Sequence, residues 1–186
     1  AGHDLREMRA HVGDDAWMNE LFAACNRMML RLTEMPQPVI ARVHGIATAA
    51  GCQLVSMCDL AVAADSATFA LPGVNIGVFC STPAVGVGRS VGRKRAMEML
   101  LTGDSITAQQ AVDWGLVNRA VPADQLDVAI QHYVERITAR SGAVIGLGKR
   151  TFYSQIELGL GDAYPLAGDT MTCNLRLDYA AEGIDA

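Results

Sequence analysis

The chain has no run of basic residues, no CxxC pair, no histidine cluster and no apolar stretch long enough to cross a bilayer. Each absence removes a class of function. Fifteen Lys and Arg against 20 Asp and Glu leave a net charge of −5. Nucleic-acid binding rests on a basic surface, so nucleic acid is not an expected partner. The five cysteines, Cys25, Cys52, Cys58, Cys80 and Cys173, are odd in number and have apolar neighbours. They read as buried, reduced thiols, which points to a cytoplasmic compartment. The four histidines, His3, His11, His44 and His132, match no zinc-site spacing, so no metal is expected. A membrane span needs about 20 consecutive apolar residues, and none is present.

What is there is a chain of 186 residues, 51% hydrophobic, with 18 glycines. That is enough for one buried core with a small helical appendage. The chain opens at Ala1 without a methionine and stops abruptly at Ala186. It reads as a piece of a longer protein, and an organellar address in a lost N-terminus stays open.

Hydrophobic periodicity places a helix over 16–34, with Trp17, Leu21, Ala24, Met28 and Leu32 on one face. Pro36 and Pro38 end it. Strands are predicted at 39–43, 60–64, 68–70 and 117–121, from their β-branched or apolar runs. Helices are predicted at 52–57, over 84–101 with Gly103 as a stop, from 126 to 140, and around 143–158 and 162–180. Thr107 with Gln110 forms a capping-box pattern before a further helix that Gly115 ends. Strands alternating with helices define an α/β class with a helical C-terminus.

The run Thr48-Ala49-Ala50-Gly51-Cys52-Gln53 stands between a predicted strand and a predicted helix. Small side chains there let a ligand approach the backbone. The first N–H groups of a helix have no internal partner, so they can hold a developing oxyanion. By itself the run also fits a tight packed turn.

The wider pattern resembles one family. In order come Ala1-Gly2-His3-Asp4-Leu5, the strand from Pro38 to Gly45, Ala49-Ala50-Gly51-Cys52-Gln53-Leu54, Cys58-Asp59-Leu60-Ala61-Val62-Ala63, Phe69 to Gly77, and Leu100 to Gly103 with Trp114-Gly115-Leu116-Val117. This order and spacing is similar to the enoyl-CoA hydratase/isomerase, or crotonase, superfamily over essentially the whole chain. The resemblance implies a crotonase-like spiral of ββα turns, with residues 1–140 as its core and 141–186 as a C-terminal helical trimerisation region. The family's strands before the AGxD motif are expected to be missing here. The implied partner is an acyl-CoA thioester, with coenzyme A as part of the substrate and no separate cofactor, bound by a homotrimer or a dimer of trimers.

The resemblance also assigns residues. The backbone N–H groups of His3 and Ala50 correspond to the oxyanion hole for the thioester carbonyl. Ala1, Asp4 and Leu5 fall in the segment that contacts coenzyme A. The two catalytic glutamates of the family's hydratases fall on Gln53 and Gly73. Glutamine does not exchange a proton near neutral pH, and glycine has no side chain. General acid–base catalysis supplies about 10²–10⁴-fold in rate. A hydratase-like lyase therefore needs other groups, and Cys80, Ser81 and the His3 imidazole are the candidates. The alternatives are another crotonase-type reaction, such as decarboxylation or thioester hydrolysis, or a noncatalytic acyl-CoA-binding or regulatory protein. From a different class, Gly88-Arg89-Ser90-Val91-Gly92 matches the G-x-S-x-G nucleophile elbow of serine hydrolases, which requires a strand before it.

Overall fold

The computed structural model describes residues 1–185. The last residue of the expected 141–186 region thus lies outside the described residues. Two compact units are present: Ala1–Leu32 with Val39–Gln131, and Thr33–Pro38 with His132–Ala186.

The first unit is built on a repeated strand–strand–helix turn. Strands β1 (Ile40–Val43) and β2 (Ile46–Thr48) lead into helix α3 (Ala50–Met57). Strands β3 (Leu60–Ala64) and β4 (Thr68–Ala70) then lead, through a 3-10 turn at Pro72–Ile76, into α4 (Ser81–Ser90). Equivalent strands stack in parallel, β1 on β3 and β2 on β4. This stacking of successive turns is the expected spiral. Strand β6 (Arg119–Val121) extends the first sheet in parallel, and β5 (Ile106–Thr107) closes the second in antiparallel fashion. Two helices precede the first turn, α1 (Leu5–Ala10) and α2 (Asp15–Glu34).

The core between the sheets and helices is made of small and medium side chains. Val62, Ala63, Phe69, Leu71 and Val87 are fully buried. Helices α3 and α4 pack on each other, and they meet at Gly86. A Cβ there would run into the Ser56 hydroxyl and stand 2.9 Å from the Met57 sulfur. The glycine reflects close packing rather than a helix break.

The helix expected over 84–101 is two helices, α4 and α5 (Arg93–Thr102). Gly92, at φ 77°, turns the chain between them. The capping box at Thr107 and Gln110 is present with both of its hydrogen bonds and starts α6 (Ala108–Asp113). Helix α7 spans Leu126–Thr138. The long helix expected over 162–180 is also two, α9 (Leu160–Asn174) and α10 (Asp178–Asp185).

In the second unit α8 (Gly142–Gln155) packs on α9, with the Thr151 and Thr170 hydroxyls 3.0 Å apart. Phe152, Ile156, Met171 and Leu175 are exposed on it. No helix among the described residues is long and apolar enough to cross a membrane.

Candidate active site

The site grows from the junction of β2 and α3. Ala49 sits at φ 51°, ψ −120°, the one non-glycine residue with positive φ among those described. An L-residue held there is strained by roughly 1–3 kcal/mol, and such strain concentrates at functional positions. The twist starts α3 at Ala50, whose N–H is one of the donors a helix cannot satisfy internally.

The N-terminal segment runs alongside. A Cβ on Gly2 would stand 2.9 Å from the Ala49 Cβ and 3.5 Å from the Ala50 nitrogen. A Cβ on Gly51 would stand 3.0 Å from both the nitrogen and the carbonyl oxygen of Ala1. The glycines on either side thus bring the peptide of His3 beside that of Ala50.

A cavity of about 610 Å³ opens at this place. Its wall includes Gly2, His3, Leu5 and Met8 from the N-terminal segment, Phe22 from α2, and Thr48, Ala49 and Ala50. The remainder comes from Pro72, Gly73, Asn75, Ile76, Val78 and Phe79, followed by Cys80, Ser81, Thr82 and Pro83 at the start of α4. None of these lining residues is Asp, Glu, Lys or Arg. A 300–1,000 Å³ apolar cavity with a few polar groups is the usual form of a small-ligand site.

Of the residues singled out in the sequence, His3, Leu5, Ala50, Gly73, Cys80 and Ser81 line this one cavity. Three do not. Asp4 caps α1, its carboxylate accepting from the N–H groups of Arg6 at 2.8 Å and Glu7 at 3.4 Å. Ala1 packs on Gly51. Gln53 is 4% exposed, and its Oε1 has no hydrogen-bond partner.

Gly73 is closed by its own loop. The N–H of Val78 donates to the Gly73 carbonyl at 2.9 Å, folding 73–78 into a tight turn. A Cβ on Gly73 would run into the Val78 carbonyl oxygen and stand 2.8 Å from the Cys80 sulfur. The space a side chain at 73 would need is filled.

His3 places its ring edge-to-face with Phe22, with centroids 5.6 Å apart. Its Nε2 is buried and has no hydrogen-bond partner. A buried, unpaired polar atom costs about 1–3 kcal/mol, and native proteins keep few of them.

Cys52 lies behind the wall, fully buried. Burial, and next the neighbouring Cys80, push its thiol up to about 12, while the backbone at Ala70 pulls the other way. The folded form therefore favours the neutral thiol. Stability from this group is complete below the ordinary thiol value of 9.0 and is lost as the pH rises toward about 12. The expected slope is about 1.4 kcal/mol per pH unit. Urea titrations of wild type and Cys52→Ala between pH 8 and 11 test this: the difference between them should shrink with rising pH, and a constant difference refutes it.

The nucleophile-elbow reading fails on the structure. Ser90 closes helix α4, no strand precedes it, and its hydroxyl donates to the Gly86 carbonyl at 3.1 Å.

Four of the lining residues, Met8, Phe22, Val78 and Phe79, were not read from the sequence. Phe22 stands off the face assigned to its helix, and Met8 belongs to a helix, α1, that the periodicity of six residues does not announce. Thr82 and Pro83 were legible, since they follow directly on Cys80 and Ser81.

A parallel spiral of strand–strand–helix turns, with a cavity where a helix start meets a small-residue segment, defines a crotonase-type protein. The family described as enoyl-CoA hydratase/isomerase matches residues 1–171, and the chain belongs to that family. The rat protein named enoyl-CoA hydratase domain-containing protein 3, mitochondrial, is 48% identical over 186 residues, which is 100% of this chain and 62% of the relative. Its human counterpart is 47% identical, covering 100% of this chain and 61% of its own length. Among solved structures, an enoyl-CoA hydratase of Mycobacterium smegmatis superposes with a TM-score of 0.98 at 53% identity, covering 100% of this chain and 72% of the other. The human domain-containing protein 3 superposes at 0.95 with 47% identity, covering 100% and 73%. The chain thus spans about three fifths of the length of these curated relatives.

Proposed function

We propose that the cavity binds the acyl part of a coenzyme A thioester, with the thioester carbonyl held by the backbone N–H groups of His3 and Ala50. The protein acts as a hydratase-like lyase of the crotonase type in fatty acyl metabolism. The observation that carries this reading is the junction itself. The strained Ala49 presents an unpaired helix-start N–H beside the segment of His3, in a wall that carries no charge. Backbone donors do not depend on side chains, so an oxyanion hole survives the loss of both glutamates. One such donor is worth roughly 3 kcal/mol of transition-state stabilisation in other enzymes. No further cofactor or metal enters this reading.

The uncharged wall also favours a second reading, an acyl-CoA-binding protein without turnover, because none of the usual carboxylates reaches the cavity. Exposed apolar residues of the second unit, Phe152, Ile156, Met171 and Leu175 among them, support assembly into a trimer through the C-terminal helices. Reduced thiols fit a reducing compartment. That is cytoplasmic in the first reading; the vertebrate relatives are named as mitochondrial.

Calorimetric titration with saturated acyl-CoAs of two to eight carbons, and with free coenzyme A, tests the binding. Each buried CH₂ contributes about 0.8 kcal/mol, so Kd should fall about four-fold per carbon until the cavity is full. Equal affinity for free coenzyme A and for every acyl-CoA sinks the proposal.

A further inference from the structure

We propose that the His3 imidazole is the proton carrier of this cavity, doing with a ring nitrogen what residues 53 and 73 do not do. The inference deepens the functional reading above and needs an acyl thioester in the cavity.

Three observations lead to it. With no carboxylate, ammonium or guanidinium in the wall, His3 and Cys80 are its titratable side chains. An imidazole both accepts and donates protons in the physiological range. The ring belongs to the same residue as one of the two proposed carbonyl donors. A thioester held by the His3 N–H therefore lies within one side-chain length of the ring once the ring turns inward. Lastly, Nε2 is buried without a partner. In the unliganded chain the atom is out of contact with solvent. Turning the ring inward therefore breaks no hydrogen bond of Nε2 and lets it gain one. A buried polar atom left unsatisfied calls for an explanation, and a ligand-dependent partner supplies it.

The step balances without a co-reactant. In the Nδ1–H tautomer, Nε2 takes a proton from a water molecule as the water oxygen bonds to Cβ of a 2-enoyl thioester. The double-bond electrons move to the thioester oxygen, held by the two backbone N–H groups. The imidazolium then returns its proton to Cα as the carbonyl re-forms. The product is the 3-hydroxyacyl thioester.

The test uses the purified protein with crotonyl-CoA. Turnover is followed by loss of the conjugated thioester absorbance, and Kd by calorimetry. His3→Phe keeps a ring against Phe22 and loses the nitrogens. His3→Ala leaves room for added imidazole. Both variants should bind with near wild-type Kd and turn over at least about 10²-fold more slowly, and free imidazole should restore part of the rate to His3→Ala alone. Wild-type turnover in either variant overturns the proposal. So does a wild-type protein that binds crotonyl-CoA and never hydrates it. A wild type that binds no CoA thioester removes the functional reading and this inference together. Binding with unchanged variant rates removes only the inference.

Discussion

Gly73→Glu is expected to lower the melting temperature by roughly 6–12 °C and to gain no hydratase activity. The resemblance to hydratases suggests a gain, since it identifies position 73 as one of two lost glutamates. The geometry of the loop decides against restoration. A Cβ at 73 runs into the Val78 carbonyl and comes within 2.8 Å of the Cys80 sulfur. The Val78 carbonyl belongs to the backbone of a tight turn pinned by its own hydrogen bond to Gly73, so it does not rotate away as a flexible side chain does. Overpacking of this kind costs about 1–3 kcal/mol, and here the obstacle is backbone, so the upper end applies. For a chain of this size each kcal/mol moves the melting temperature by roughly 2–4 °C.

The cost arises at the Cβ, which gives the prediction its sharpest form. Gly73→Ala should destabilise nearly as much as Gly73→Glu, although alanine adds one carbon. Differential scanning calorimetry of the two variants decides. A harmless alanine, or a Gly73→Glu protein that melts like wild type and hydrates crotonyl-CoA faster than wild type, shows that the 72–80 loop yields and the closed-turn argument fails.

The spiral was legible because its signals are local and repeated. Runs at 39–43, 60–64 and 68–70 read as strands from composition alone, and the capping box at Thr107 announced α6. What sequence could not show was closeness. Gly86 is one more residue of a predicted helix in the sequence, whereas it marks where α4 meets α3. Gly73 reads as an omission, whereas its missing Cβ is where the loop folds back. Of the residues that the resemblance assigns, His3, Leu5, Ala50 and Gly73 line the cavity. Phe22 and Met8 were out of reach because they meet the cavity only through tertiary packing of helices whose own periodicity says nothing about a ligand. Gln53 went the other way. Motif spacing placed it in the catalytic machinery; its side chain is buried in α3, and it is not among the residues that line the cavity.

That burial sets the second large effect. Gln53→Glu puts a carboxyl where the side chain is 4% exposed and where the present Oε1 already lacks a partner. An unpaired buried carboxylate costs roughly 3–5 kcal/mol at neutral pH. Desolvation raises its folded pKa above the unfolded glutamate value of about 4.3. By linkage, the variant is then most nearly as stable as wild type below about pH 4 and loses ground as the pH rises, by about 1.4 kcal/mol per unit, until the folded carboxyl ionises. Denaturant unfolding of both proteins at pH 4, 5.5 and 7 measures the gap directly. A gap that stays flat across this range refutes the buried, unpaired carboxylate.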